Sequence, residues 1–307
     1  MLKEVLIFLI ACLVLVKSAE YAIKAVSRIA KYLRLTEFIA SFILVAFVSS
    51  LPEIFISVLS AIDGNPSLGL GTLLGGNIAD LTLILGLITL AGHPIRIHST
   101  IIKKDLYLGA LCLLPIILSL NGVISRIDGA ILLAAGTIFL LILLKESAYF
   151  KKPFDGKDHV LKSFLLLVIS IIFLLGSAHF IVKSSEALAL GIGVPVIIIG
   201  LVLVALGTTL PEFIFSLQSI RKGHADMAIG DLWGAVIVDA CIGVGLTALI
   251  VPISVNLFVM GIVGLFTAFA VFFSLAFMRS DGILTRNEAL ALVFFYVAFV
   301  VAQILLR

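Results

Sequence analysis

Charge is in short supply along this chain. Asp, Glu, Lys and Arg make up 13% of its 307 residues, against 62% hydrophobic ones, too little polarity to coat a water-soluble surface of that size. The net charge of +3 is too small to mark a nucleic-acid partner. Only three cysteines occur, Cys12, Cys112 and Cys241. All sit in apolar stretches without paired spacing, which argues against a disulfide framework or a thiolate metal cluster. The five histidines, His93, His98, His159, His179 and His224, lie mostly near loops or helix ends and are not expected in a site. No small-residue cleavage pattern follows the first apolar stretch, which runs on into Lys17, Glu20 and Lys24. It is expected to be a retained helix and not a signal peptide.

What remains is apolar sequence in lengths of roughly 17–25 residues, enough to cross the hydrocarbon core of a bilayer as a helix. The expected spans are 3–27, 36–61, 67–91, 105–122, 127–145, 161–183, 195–220, 226–251, 254–277 and 287–306. The fold class is therefore an all-α polytopic membrane protein with ten transmembrane helices. The longest polar interruption runs from Lys145 to Lys162. It divides the chain into a first half (1–146), a linker (147–160) and a second half (161–307), with five spans in each half. Lys and Arg concentrate on the cytoplasmic side of membrane proteins. With the N-terminus outside, the inward loops hold Lys24, Arg28, Lys31 and Arg34, then Arg96, Lys103 and Lys104, the 146–160 loop, Arg221 with Lys222, and Arg279 with Arg286. Lys3, Arg126, Lys183 and Arg307 stay outside. Both termini are expected to be extracellular and the 146–160 loop cytoplasmic, in a multi-pass protein of the cell membrane.

The two halves share a segment. Ala46-Phe-Val-Ser49-Ser50-Leu-Pro52-Glu53 matches Ala205-Leu-Gly-Thr208-Thr209-Leu-Pro211-Glu212 at an offset of 159. The same offset carries Ser57 onto Ser216, Gly71 onto Gly230, Gly75 onto Gly234, Asp80 onto Asp239 and Gly86 onto Gly245. The matched segments are 46–86 and 205–245. Because each half has an odd number of spans, the copies enter the membrane from opposite sides. The expectation is a pair of inverted five-helix repeats, the architecture of secondary transporters with a midplane site.

Each copy places a Glu and an Asp deep in apolar spans: Glu53 and Asp80, Glu212 and Asp239. A charge at the bilayer centre costs at least ~2.5–3.5 kcal/mol, so such residues usually face a cavity and serve an ion pathway. A structural ion pair is the alternative, but no Lys or Arg lies at matching depth in those spans. Pro52 and Pro211 remove a backbone donor and should break each helix just before the Glu. Ser49 and Ser50, like Thr208 and Thr209, share a face with that Glu. They either repair freed backbone groups or add oxygen ligands, and both uses can coexist. Carboxylates, hydroxyls and carbonyls suit a hard cation, and Ca²⁺ takes 6–8 such ligands. His and Cys are absent from these positions, which argues against zinc or copper. The glycines (Gly69, Gly71, Gly75, Gly76, Gly230, Gly234) read as close-packing positions.

These segments resemble the α-repeats of the calcium/cation antiporter (CaCA) superfamily, and most closely its compact prokaryotic sodium/calcium exchanger members. The family's Gly-Ser/Thr-Ser/Thr-Leu-Pro-Glu motif stands here as Val48-Ser-Ser-Leu-Pro-Glu53 and Gly207-Thr-Thr-Leu-Pro-Glu212. The resemblance implies a secondary antiporter, not an enzyme, that exchanges Ca²⁺ for Na⁺ by alternating access, with no cofactor and with a monomer as sufficient unit. It implies Glu53 and Glu212 as the main calcium carboxylates, joined by the main-chain carbonyls of Ser49 and Thr208. Flanking cation sites would use Ala46 and Ser50, and Ala205 and Thr209; Asp80 and Asp239 would border a central position. The first and sixth spans would slide across the other eight.

The chain also departs from that pattern. The family's third and eighth spans usually read Gly-Asn-x-x-Gly-Ser-Asn. Here they read Gly71-Thr72-Leu-Leu-Gly75-Gly76-Asn77 and Gly230-Asp231-Leu-Trp-Gly234-Ala235-Val236. The serines that would help hold sodium are replaced by Gly76 and Ala235, and Asp231 adds a carboxylate nearby. One Ca²⁺ offsets only two of four site charges, so protons or K⁺ compete with Na⁺ as the coupling ion. An H⁺/Ca²⁺ or K⁺-dependent exchanger is thus the alternative. Two further readings are an intramembrane aspartyl protease built on Asp80 and Asp239, and a cation channel. The first lacks its Gly-x-Gly-Asp signature, since Ala228 precedes Gly230-Asp231. The second fits two oppositely entering broken helices less well than alternating access does.

Overall fold

The computed structural model describes residues 2–32, 45–92, 95–96, 105–147, 160–279 and 283–305. Most of the 147–160 linker, the start of the second expected span and several inward basic residues lie outside the described residues. What is described is nearly all helix, as expected of a chain in lipid, where every backbone N–H and C=O must find an internal partner. Among the described residues seven helices are long and apolar enough to cross a membrane.

The helices follow in this order: α1 (Leu2–Tyr32), α2 (Ala46–Ser49), α3 (Leu51–Ile62), α4 (Pro66–Ala79), α5 (Leu85–Gly92), α6 (Asp105–Leu118), α7 (Arg126–Ser147), α8 (Val160–Ile192), α9 (Val196–Ile198), α10 (Ala205–Thr208), α11 (Leu210–Arg221), α12 (Ala225–Ile237), α13 (Val244–Ile250), α14 (Leu257–Arg279) and α15 (Arg286–Leu305). Among the described residues three complete π-helical turns join neighbours without breaking the rod: Asp80–Ile84, Ile199–Val204 and Val238–Gly243. Two of these contain the membrane acids Asp80 and Asp239. Such turns widen a helix locally and recur at functional sites.

The offset of 159 is visible in three dimensions. It carries α2 onto α10 and α3 onto α11, residue for residue. The α3–α4 turn closes on Gly64 at φ +90° and the α11–α12 turn on Gly223 at φ +81°, a left-handed conformation that glycine adopts without steric cost. Two short antiparallel ribbons obey the same relation. Ile95–Arg96 pairs with Ile283–Leu284, and Val123–Ile124 pairs with Ile253–Ser254, so the offset takes each ribbon close to the other.

Helices α4 and α12 form the centre. From Leu68 to Ala79 and from Ala228 to Ile237 every residue is buried, whatever face it occupies, the mark of a helix enclosed on all sides. Gly75 lets α4 approach closely: a Cβ there would collide with the backbone of Leu201. The outer helices instead show large apolar side chains to the outside, including Leu13, Ile172, Phe272 and Phe294. An apolar surface of that extent belongs against lipid and not water. Helices α1 and α8 pack chiefly along each other and lie against α3.

Helix α8 runs well past the expected end of its span at residue 183. Its last turns carry Lys183 and Glu186, and both are held by partners outside the helix. Lys183 Nζ lies 3.1 Å from Asp63 Oδ2, and Asn65 Nδ2 donates to Glu186 Oε1 at 2.7 Å. The helix ends where Gly193 turns to φ +66° ahead of Pro195.

Candidate cation site

Pro52 and Pro211 sit in the first turn of α3 and α11, where a missing N–H costs nothing. Upstream they deny a carbonyl its usual partner, and each rod is broken at one residue, Ser50 or Thr209. The hydroxyls repair part of the loss. Ser49 Oγ donates to the Ala46 carbonyl at 3.1 Å, and Thr208 Oγ1 to the Ala205 carbonyl at 3.1 Å. Those carbonyls also accept the N–H of Ser50 and Thr209, at 3.0 Å each. In this conformation Ala46 and Ala205 thus have both lone pairs engaged.

Each break packs on the central helix of the opposite half: α2 lies on α12, and α10 on α4. This crossed arrangement gathers the acids. Glu53, Asp80, Glu212 and Asp239 are each no more than 2% exposed, and Asp231 is fully buried. Glu53 is within electrostatic reach of Asp80, Glu212 and Asp239, and Asp231 of Asp80 and Glu212. The Thr208 hydroxyl lies beside the Glu53 carboxylate. Ser50 lies beside Asp239 without completing a hydrogen bond.

The polar inventory is unbalanced. Glu53 Oε2, Asp80 Oδ1, Glu212 Oε2, Asp239 Oδ1, Ser50 Oγ and Thr209 Oγ1 are buried and have no partner. Leaving one such group unsatisfied costs roughly 1–3 kcal/mol, more when it is charged. Among the described residues no Lys, Arg or His is buried, so none of these neutralises the carboxylates. Oxygen atoms of this kind, drawn from two halves and unpaired, fit a hard cation supplied from outside. Among the described residues no three His, Cys, Asp or Glu side chains close into a ready-made metal cluster.

The structure adds residues that the sequence did not single out for the site. Asn77 is buried with both side-chain polar atoms unpartnered, and so is the Tyr296 hydroxyl, which lies within electrostatic reach of Asp80. Asn77 falls inside a recognisable motif, but nothing in one sequence distinguishes Tyr296 from other aromatics of an apolar span. Ser57 and Thr247 share a buried hydrogen bond of 2.6 Å. Asp231 accepts from Ser49 Oγ through Oδ1 and from Ser216 Oγ through Oδ2, both at 3.3 Å. At Gly76 an added Cβ would stand 3.6 Å from Thr209 Cγ2 and 3.9 Å from Asp239 Oδ2, which places this position at the edge of the acid cluster.

The sequence model of the family described as "Sodium/calcium exchanger protein" matches residues 3–145 and 162–305. The chain is 30% identical over 269 residues to the inner membrane protein YrbG of Escherichia coli (strain K12), covering 82% of this chain and 81% of that one. It is 25% identical to the sodium/calcium exchanger MaX1 of Methanosarcina acetivorans, covering 96% and 97%. A solved structure of the sodium-calcium exchanger NCX_Mj superposes with a TM-score of 0.72 at 25% identity, covering 99% of each chain.

Proposed function

The chain belongs to the sodium/calcium exchanger protein family, and from that premise we propose that it is a secondary antiporter exchanging Ca²⁺ for Na⁺ across a membrane by alternating access. The observation that carries this reading is the set of unpaired, buried carboxylate oxygens on Glu53, Asp80, Glu212 and Asp239, with no buried basic group among the described residues. Such a site is destabilised when empty and relieved by a cation, which is the condition for an ion to be bound and released in turn. It does no covalent chemistry and calls for no cofactor. MaX1 carries the same activity in its name.

In this reading the chain crosses the membrane ten times in two inverted five-helix repeats, 1–146 and 161–307, joined by a cytoplasmic linker, with both termini outside. The separate matches of one family model to 3–145 and 162–305 and the crossed packing of the two breaks support it. Glu53 and Glu212 would take Ca²⁺ together with the Ser49 and Thr208 carbonyls. Ala46, Ser50, Ala205 and Thr209 would serve flanking monovalent cations, with Asp80 and Asp239 beside the centre. To use the Ala46 and Ala205 carbonyls, the Ser49 and Thr208 hydroxyls would have to turn away from them. The α1–α8 pair would slide across the remaining helices. A monomer contains every residue this requires.

A second reading, H⁺ or K⁺ coupling, is favoured by Gly76 and Ala235 at the two positions where the family pattern has serine, and by the extra buried carboxylate of Asp231. The test is ⁴⁵Ca²⁺ uptake into liposomes driven by an outward Na⁺ gradient. Parallel vesicles carry an outward H⁺ gradient, each with and without K⁺, and Glu53→Gln and Glu212→Gln serve as controls. Sodium-driven uptake lost in both variants is the expected result. Uptake under the H⁺ gradient alone would replace sodium as the coupling ion, and no Ca²⁺ movement under any gradient would remove calcium as the substrate.

A further inference from the structure

Two breaks in the internal repeat fall beside the same acid, Asp80. Asn77 stands one turn before it on α4, on the same face, and is buried with Oδ1 and Nδ2 both unpartnered. Val236 holds the matching place before Asp239. The second break lies on the outer helices. Helix α15 meets α5 at Gly86, where an added Cβ would lie 2.7 Å from the Ala289 carbonyl oxygen and 2.7 Å from Val293 Cγ2. Helix α7 meets α13 at Gly245, where it would lie 3.0 Å from the Gly129 carbonyl oxygen and 2.9 Å from Leu133 Cγ. Ala289 thus answers Gly129 and Val293 answers Leu133. The same register sets Phe299 on Phe139, both buried, and Tyr296 on Gly136. Gly136 lets α7 close onto the π-helical turn that holds Asp239, since a Cβ there would stand 2.7 Å from Cys241 Cβ. Helix α15, packed against the π-helical turn that Asp80 opens, brings in Tyr296 instead. That residue is 4% exposed, and its hydroxyl has no partner and lies within electrostatic reach of Asp80.

We propose that Asn77, Asp80 and Tyr296 form a monovalent-cation subsite on the Asp80 side, taking Na⁺ with part of its water shell, where Val236 and Gly136 build none beside Asp239. The inference deepens the exchanger reading and rests on it. One carboxylate with an amide oxygen and a phenol oxygen balances a single positive charge, whereas Ca²⁺ asks for 6–8 oxygen ligands. Water retained by the ion accepts from Asn77 Nδ2. A neutral water alone would satisfy the amide and the phenol but would leave the Asp80 charge unbalanced, because none of the described Lys, Arg or His residues is buried.

The test measures ²²Na⁺ binding to purified protein and the Na⁺ concentration that half-saturates ⁴⁵Ca²⁺ efflux from liposomes. Tyr296→Phe removes only the hydroxyl, and Asn77→Val installs the residue of the other repeat. Losing one polar partner corresponds to about fivefold in affinity. Each variant is expected to weaken Na⁺ about fivefold in both assays and to shift the Ca²⁺ KM less. Gln303→Leu removes another buried polar group of α15, two turns further from Asp80, and should leave Na⁺ binding as it was. Unchanged Na⁺ affinity in Tyr296→Phe and Asn77→Val would overturn the proposal; if Tm falls at the same time, the three groups share a bridging water and not an ion. An equal loss in Gln303→Leu would overturn it as well, by tracing the effect to the packing of α15. A wild-type protein that binds ²²Na⁺ but carries no Ca²⁺ would sink the exchanger reading instead, and the binding panel then scores the subsite by itself.

Discussion

Substituting Gly76→Ser returns to α4 the hydroxyl that the family pattern carries there, and the site has room for it. The added Cβ meets nothing closer than 3.6 Å, at Thr209 Cγ2, and stands 3.9 Å from Asp239 Oδ2. These are ordinary van der Waals separations, so the backbone need not move. The serine oxygen lies one bond further on, on the side of Thr209 and Asp239, each of which has one buried oxygen without a partner. There it can donate to the carboxylate or offer a lone pair to a monovalent cation. A net gain of about 1 kcal/mol is reasonable for one such interaction, which corresponds to roughly a fivefold fall in the Na⁺ concentration that half-saturates exchange. The Ca²⁺ KM should move much less, because its shell is dominated by glutamates. The assay is Na⁺-dependent ⁴⁵Ca²⁺ efflux from liposomes at a series of Na⁺ concentrations, beside a thermal unfolding curve. An unchanged Na⁺ half-saturation in a protein of unchanged Tm would refute the assignment of Gly76 to the cation path. A large fall in Tm would refute the claim of room.

Other positions test the packing around that path. Gly75→Ala should lower stability by about 1–3 kcal/mol through overpacking against the Leu201 backbone, whereas Gly176→Ala and Gly261→Ala, with nothing within 4 Å of the added carbon, should leave Tm unchanged or raised; equal effects at all three would contradict the close approach of α4. Asp63→Asn should weaken the hold of the α3–α4 turn on Lys183, seen as faster deuterium uptake over residues 183–192 with little change in Tm. Unaltered exchange there would mean that the ion pair does not secure the end of α8.

How much of this could be read from the sequence depends on whether a feature is local. The helix breaks at Ser50 and Thr209 were legible because proline acts on its immediate neighbours. The depth of Glu53, Asp80, Glu212 and Asp239 was legible because an acid in an apolar run of that length has nowhere shallow to sit. The end of α8 was not, because Lys183 and Glu186 look like the edge of a span until Asp63 and Asn65, over a hundred residues away, are seen to hold them. Tyr296 was invisible for the same reason. Its hydroxyl matters only because the fold brings α15 against the π-turn that carries Asp80.

The crossed packing also explains why a duplicated sequence need not give a symmetric site. Each break is completed by the other repeat's central helix, so a change on one central helix acts on one break alone. Thr72 and Asp231 occupy matching places, yet Thr72 satisfies itself on Leu68 while Asp231, with no donor on its own turn, must take hydroxyls from α2 and α11. Asymmetry between the halves is therefore set on α4 and α12, at positions 72, 76, 77, 231, 235 and 236, and not in the Leu-Pro-Glu segments that both halves share. Those six residues form three unlike pairs on the central helices, 72/231, 76/235 and 77/236, and selectivity among cations should be most responsive to substitution there.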